Sequence, residues 1–323
     1  MKRFLSRVLP LLLSFGLILN CTGCSTVLVL AGKARENSEA SSSVISESSA
    51  SSGVISTPVP TEDGDLRAFY TDVANAESVT VMVYMIGSDL ESEDGSATDD
   101  LLEMADAALS ENIHLVLQTG GTETWWNDVC TDDESERFVI ENGDMTLLQS
   151  LGSMNMTDAD TLSDFIRFSA ESYPADRYEL ILWDHGGGTM TGFGYDELYE
   201  DTSLTLSSLS TALYNGGVQF DFIGFDACLM ATAEVAYALD PYADYLIASE
   251  ESEPGEGWAY KNWLTMLAED PAVPTAELGK KLADDFLEAY IFADMPTLSV
   301  LDLRYVPELY AALESYWGSA VER

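Results

Sequence analysis

The chain has 323 residues, which is enough for one large α/β domain or two small ones. Its 56 Asp and Glu residues outnumber its 14 Lys and Arg residues and leave a formal net charge of -42. A charge of this size repels nucleic acids and anionic membrane surfaces and attracts basic peptides, although a well-solvated surface is the simpler explanation of it.

The first 24 residues have the pattern of a secretory signal. Three basic residues precede an apolar stretch at 9–19, which is short for a membrane-spanning helix. The Thr-Gly-Cys sequence that ends at Cys24 is similar to a bacterial lipobox, in which the cysteine is acylated and becomes the new N-terminus. We therefore expect lipidation at Cys24, with ordinary cleavage and free secretion as the alternative.

Residues 25–76 read as a flexible tether. Serine crowds the stretch from Ser41 to Ser52, and Pro58 and Pro60 follow. Such a composition cannot bury a hydrophobic core. The predicted organisation is a signal and lipid attachment site at 1–24, a tether at 25–76 and a globular domain at 77–323.

Strands and helices alternate through the rest of the chain. The patterning predicts strands at 79–86, 113–117, 178–183, 220–225, 245–248 and 297–303, and helices at 98–109, 158–172, 204–214 and 229–239. Asn142-Gly143, between apolar stretches at 138–141 and 145–148, predicts a hairpin. The alternation predicts an α/β fold with a mainly parallel sheet and helices on both faces, whose ligand crevice lies beyond the carboxyl ends of the strands.

The chain has two histidines, His114 and His185, and only His185 lies at such a strand end. It follows the strand that ends at Trp183 and opens a glycine run whose amides could approach a substrate closely and stabilise an oxyanion. A tight turn with an incidental histidine is the alternative. His114 lies within the second strand and is interpreted as a structural residue.

Cys228 follows the next strand end, at the predicted start of the 229–239 helix, where a thiolate is favoured. Alone, a cysteine beside Leu229 and Met230 is more often a packing residue. Together with His185 it forms a candidate nucleophile and general acid. Cys130 is followed by an acidic run, which makes it a poor nucleophile.

The mature domain contains no paired zinc-ligand spacing, no phosphate-binding Gly-Lys-Ser/Thr loop and no Gly-x-Ser-x-Gly elbow. The sequence therefore predicts no metal ligands and no serine hydrolase.

The sequence from Trp183 to Gly188, followed by that from Phe225 to Met230, resembles the clostripain family of cysteine peptidases, part of the caspase-like superfamily. The stretches 81–90 and 249–258 fit the same family, and the resemblance runs from about 77 to at least 305. It implies a caspase-like three-layer α-β-α sandwich with Cys228 as nucleophile, His185 as general acid and the Gly186 amide in the oxyanion site.

The resemblance also implies cleavage after Arg or Lys, with Asp226 and an acidic residue of the 250–256 loop lining the primary pocket. We choose Glu256 in that loop, and a solvated loop is the alternative for Glu250, Glu251 and Glu253. Because residues two apart in an extended segment face the same way, Asp226 could line the cleft beside Cys228. No cofactor is required, but some relatives bind calcium, so calcium is a candidate. Related enzymes usually continue beyond the position of Arg323, which makes a C-terminally truncated domain one interpretation of the chain.

The sequence thus predicts an extracytoplasmic cysteine endopeptidase that is attached to the bacterial membrane by a lipid. Its expected partners are peptides or proteins with basic residues, and not nucleic acid. The alternative is a non-catalytic lipoprotein that binds peptides in the same groove. A solute-binding lipoprotein is a third interpretation, but no second lobe is visible in the sequence.

Overall fold

A computed structural model of the protein describes residue 71 and residues 73–199, 202–290 and 296–321. The predicted signal, Cys24 and most of the tether lie outside the described residues. The described chain already contacts the domain before residue 77, since the Thr71 amide donates to Asp244 and Ala76 is buried. Within the described residues, no helix combines the length and the apolar character needed to cross a membrane.

One sheet holds the strands of the described chain. These are β1 (Val79–Ile86), β2 (Ile113–Gly120), β3 (Ser135–Glu141), β4 (Asp144–Gly152), β5 (Arg177–Trp183), β6 (Phe220–Asp226), β7 (Ala243–Ala248) and β8 (Ser299–Asp302). Their order is β4-β3-β2-β1-β5-β6-β7-β8. The strands from β2 to β7 in this order are parallel, whereas β3, β4 and β8 pair antiparallel at the two edges.

Helices cover both faces of the sheet. They are α1 (Ser88–Ser92), α2 (Ser96–Ala105), α3 (Ala159–Ser172), α4 (Gly188–Thr191), α5 (Leu206–Gly216), α6 (Ala233–Leu239), α7 (Tyr260–Glu269), α8 (Thr275–Ala289) and α9 (Val306–Val321). Met82 and Tyr84 of β1 pack with α3, α5 and α6, whereas Val81 and Val83 pack with α2, α7 and α8. This is the predicted three-layer α-β-α sandwich with a mainly parallel sheet.

Most predicted elements are present for the reasons that the sequence indicated. Every residue of β1 is buried, as expected for an uninterrupted apolar strand between two helical layers. Asn142 and Gly143 both have positive φ, 52° and 85°, as a two-residue hairpin turn requires. Asp158 caps α3 by accepting a hydrogen bond from the Asp160 amide.

The predicted helix start at Leu229 is wrong. Leu229 has a φ of 67°, and its amide donates to the Glu251 carbonyl, so this segment runs beside the loop after β7. The helix begins only at Ala233, where the Thr232 side chain caps it. The argument that a helix N-terminus activates the Cys228 thiol therefore fails, because that effect is confined to the first turn.

Candidate active site

Four loops meet at the carboxyl edge of the sheet. The strands β1, β5, β6 and β7 are parallel, and each is adjacent to the next in the order β1-β5-β6-β7. The segments that follow them carry Asp89, at the start of α1, and His185, Cys228 and Glu253, in loops. The sheet therefore brings together the predicted His185 and Cys228 loops, together with two acidic residues that the sequence did not single out as site members.

The loops of His185 and Cys228 touch through their backbones at Gly186. A methyl group at Gly186 would collide with the Cys228 carbonyl oxygen, so only glycine fits there. Among the described residues, neither the Gly186 amide nor the Cys228 amide donates to a protein acceptor. These two N–H groups lie on adjoining loops, and the oxyanion role of Gly186 stays a prediction.

The ring of His185 is held by Asp89. His185 Nε2 lies 2.7 Å from Asp89 Oδ1, and the two side chains are 43% and 45% exposed. Within the described part of the chain, Nδ1 of the same ring has no hydrogen-bond partner. One ring nitrogen is therefore fixed by a carboxylate while the other is free to exchange a proton.

The thiol of Cys228 contacts the loop after β7. Its Sγ accepts a hydrogen bond from the Glu253 amide at 3.2 Å and lies 3.8 Å from the Glu253 carbonyl oxygen. The hydrogen bonds of the described residues do not join Cys228 to His185. Catalytic hydrogen bonds commonly tighten only when substrate binds, so this separation is compatible with a Cys-His pair.

Next to the thiol lies a buried cluster of three carboxylates, Asp100, Asp226 and Glu253, which we call the acidic pocket. A methyl group at Gly257 would lie 2.8 Å from Asp100 Oδ2 and 3.0 Å from Asp226 Oδ2, so both carboxylates border the same backbone position. Asp226 accepts hydrogen bonds from the Trp258 amide and the Tyr260 hydroxyl.

The acids of this pocket are poorly compensated. Both Glu253 oxygens are buried, and the Trp258 ring N–H and the Asp226 carboxyl lie near them in the described structure, without a hydrogen bond of normal geometry. None of the three carboxylates pairs with Lys or Arg within the described residues. Burial, followed by the neighbouring Asp226 charge, raises the pKa of Glu253 and of Asp100 well above the usual range. Burial also raises the pKa of Asp226. Loss of solvation is thus the main cause throughout the pocket.

Glu256 and Glu253 lie in the same loop but differ in burial. Glu256 is exposed and lies beyond the buried Glu253 side chain. The nearby Tyr290 hydroxyl donates to the Gly257 carbonyl at 2.7 Å. Within the described structure, Glu253 rather than Glu256 adjoins both Asp226 and the Cys228 thiol.

The remaining histidine and cysteine lie away from this edge. His114 is at the opposite, amino-terminal end of the parallel strands, with its ring 5.3 Å from that of Tyr173, and burial lowers its pKa. Cys130 is buried, and burial raises the pKa of its thiol to about 12, with Glu136 as a smaller contributor. Cys130 is a poor nucleophile, as predicted, but mainly because of desolvation.

Sequence reasoning missed three acidic residues of the site. Asp89 lies just beyond the carboxyl end of β1, and that position was a usable signal. Glu253 lies among several glutamates in a loop without periodicity, so the pattern could not distinguish it from Glu256. Asp100 lies on α2, and its Trp183 Nε1 hydrogen bond of 2.6 Å has no sequence signature.

The described residues contain no group of three or more His, Cys, Asp or Glu side chains arranged to bind a metal ion. No step of the chemistry below is therefore assigned to calcium, and calcium binding stays a prediction.

Comparison with known proteins identifies the family. The model of the clostripain family matches residues 83–323. The chain belongs to the clostripain family of cysteine peptidases. Clostripain from Hathewaya histolytica is 29% identical over 217 residues, and the match covers 57% of this chain and 41% of that protein. The chain thus spans less than half the length of this clostripain.

Solved structures of clostripain-family proteases share the fold. A secreted C11 cysteine protease from Bacteroides thetaiotaomicron, solved with an irreversible peptide inhibitor, has a TM-score of 0.60 at 23% identity, covering 73% of this chain and 68% of that one. An inactive zymogen C11 protease from Parabacteroides distasonis has a TM-score of 0.56 at 27% identity, covering 72% and 64%. The sheet and helical layers described above are those of this family.

Proposed function

We propose that the chain is a cysteine endopeptidase that cleaves after Arg or Lys through Cys228 and His185. The Cys228 thiolate attacks the carbonyl carbon of the scissile peptide bond, and the resulting oxyanion accepts hydrogen bonds from the Gly186 and Cys228 amides. His185 donates a proton to the leaving amine, which leaves a thioester on Cys228. Water, deprotonated by His185, then releases the carboxylic acid and regenerates the thiol.

The single observation that carries the substrate preference is the pocket of Asp100, Asp226 and Glu253. Buried carboxylates without a cation are costly, so a basic side chain that enters the pocket removes a penalty as well as adding a bond. A guanidinium can take two parallel hydrogen bonds from one carboxylate. An acidic side chain would meet like charges at short range. We assign to Glu253 the pocket role that the resemblance implied for Glu256, because Glu253 adjoins Asp226.

Matched peptides with Arg or citrulline before the cleaved bond test the preference, because the two side chains have nearly the same shape and differ in charge. Hydrogen bonds to charged groups contribute about 1.5–3 kcal/mol, so we expect kcat/KM to favour Arg by roughly 10- to 100-fold. Glu253→Gln should remove most of this difference. Glu256→Gln, on the same loop, is the matched control and should retain it.

Equal rates for the Arg and citrulline peptides would refute the preference. Loss of selectivity in Glu256→Gln alone would return the pocket role to Glu256. Saturable binding of the Arg peptide without hydrolysis, by protein whose Cys228 is unmodified, would favour the non-catalytic peptide-binding lipoprotein instead.

Display outside the cell is a further part of the proposal. It is supported by the apolar stretch at 9–19, by the lipobox-like sequence that ends at Cys24, and by the serine-rich stretch that follows. The expected mature protein carries a diacylated Cys24 and sediments with membranes, whereas Cys24→Ala does not incorporate labelled fatty acid. A lipid-free mature N-terminus well downstream of Cys24 would refute the anchor and leave only secretion.

A further inference from the structure

We infer that Asp89 is a positioning residue for His185, so that the working unit is Asp89, His185 and Cys228 rather than the last two alone. The inference rests on the proposed function. Its basis is the 2.7 Å contact between Asp89 Oδ1 and His185 Nε2. Within the described residues, Asp89 forms no ion pair other than this one.

The backbone around Asp89 is fixed in place before any substrate binds. The amides of Gly87 and Ser88 donate to the carbonyls of Gly120 and Gly121 at 2.8 and 3.1 Å, which ties the start of α1 to the end of β2. The buried Ser88 has a φ of 50°, an uncommon conformation that only the surrounding contacts maintain. Asp89 is therefore presented from a rigid turn rather than from a flexible surface loop.

The far side of α1 is anchored as well. The carboxylate of Glu91 is buried and accepts hydrogen bonds from the amides of Thr98 and Trp126 at 2.8 and 2.7 Å. Glu91 thus joins α1 to α2 and to the loop after β2. With both ends of α1 held, Asp89 keeps its position beside the β5 loop that carries His185.

This placement determines which ring nitrogen does the chemistry. When Nε2 donates its proton to Asp89, Nδ1 is the nitrogen left to give a proton to the leaving amine and to take one from water. The carboxylate also stabilises the imidazolium form that proton transfer produces. Three further ionisable groups lie close by in the described structure: the adjacent Asp184, which is buried, Tyr195, whose ring lies 6.4 Å from that of His185, and Cys228 on the adjoining loop.

An exposed ion pair often contributes little to stability, so a structural role must be distinguished from positioning. The test compares Asp89→Asn and Asp89→Ala with Asp94→Asn, which removes the same charge from an exposed position just beyond α1. We expect kcat to fall about 100-fold in Asp89→Ala with little change in KM, which is the lower end of what general acid–base catalysis contributes, because His185 itself remains. The basic limb of the kcat/KM profile should move to lower pH in both Asp89 variants, because the imidazolium that donates to the leaving amine loses its partner. The Asp94 variant should match wild type.

A second measurement does not depend on turnover. The protein has only two histidines, so nitrogen NMR of the imidazole rings can follow His185 with His114 as an internal reference. Wild type should show neutral His185 protonated on Nε2, and Asp89→Ala should lose that preference while the His114 signals stay unchanged. The inference would be overturned if the His185 signals were unaltered in Asp89→Ala. It would also be overturned if kcat stayed within twofold of wild type and the kcat/KM profile did not shift with pH. If the wild-type protein hydrolysed no peptide, the proposed function would be refuted. The tautomer measurement would still decide whether Asp89 positions the His185 ring.

Discussion

At the scale of single residues, the site depends on a backbone contact between Gly186 and Cys228. The contact is so close that no side chain fits at Gly186, and it holds the loop of His185 against the loop of Cys228. Preorganised amides gain their effect from fixed geometry, because they need no reorganisation when charge develops on the carbonyl oxygen.

Gly186→Ala should therefore lower kcat by about 100-fold or more, since it displaces one loop from the other and loses at least one oxyanion donor. Gly255→Ala is a matched control, because a methyl group there would meet no atom within 4 Å. Steady-state kinetics and thermal melting would be measured for both variants. Near-normal kcat in a folded Gly186→Ala protein would show that the reaction does not depend on the close contact between the two loops.

The positions of single residues could be predicted where the local sequence defines a strand end. His185 and Gly186 lie directly after a strand of clear apolar pattern, so their place at the sheet edge followed from the parallel topology. The roles of Glu253 and Glu256 did not follow, because the loop after β7 has irregular backbone geometry. Which glutamate turns inward there is decided by contacts with the distant Cys228 and Asp226.

At the scale of secondary-structure elements, β5 carries a buried charge group at the end opposite the site. Arg177 bonds Asp221 of β6 at 2.6 Å, and its guanidinium also lies 3.2 Å from the buried Glu179. Burial is the largest effect on Glu179 and raises its pKa to about 8, while the Arg177 charge opposes the shift. A single cation thus faces two carboxylates, and Asp221 is the better-bonded partner.

Glu179 should therefore make stability depend on pH. The folded state holds a proton on Glu179 that the unfolded state releases near pH 4.5, so this contribution is complete below that pH and is lost as the pH rises towards about 8. Glu179→Gln should melt higher than wild type at pH 8 and converge with it near pH 5. Glu171→Gln, an exposed change on α3, should follow wild type throughout. A Glu179→Gln protein less stable at every pH would mean that Glu179 is the charged partner of Arg177.

Element prediction succeeded for the buried strands and failed at the start of α6. An uninterrupted apolar strand such as β1 can bury both of its faces only between two helical layers, so its sequence pattern was enough to predict a central strand. Leu229 and Met230 also fitted a helical pattern, but the amides of Leu229 and Ala231 bond the carbonyls of Glu251 and Ser249 instead. These long-range hydrogen bonds leave no trace in local periodicity.

At the scale of the whole molecule, the few basic residues are unevenly placed. Residues 178–260, which include His185, Cys228 and Glu253, contain no Lys or Arg. Arg177, just before this segment, is completely buried. An enzyme with the proposed preference therefore has no Arg or Lys to cleave after between His185 and Cys228.

The active enzyme should therefore have an uncut polypeptide chain from His185 to Cys228. We expect intact-mass measurement of protein inactivated by a thiol-directed inhibitor to show the label on a chain that is uncut across this segment. Activity should not increase with prolonged self-incubation through a cut there. A labelled species made of two chains separated between His185 and Cys228, with unlabelled intact protein remaining inert, would contradict this prediction.

The most direct test of the account is active-site labelling with a peptide ketone that carries Arg next to its reactive group. Mass spectrometry should locate one adduct on Cys228, and competition by an Arg peptide should slow its formation. His185→Ala should label far more slowly, whereas His114→Gln should label as wild type does, and a probe with Asp in place of Arg should react poorly. Labelling at Cys130, or equal labelling by the Arg and Asp probes, would contradict the claim that Cys228 and an acidic pocket form the working site.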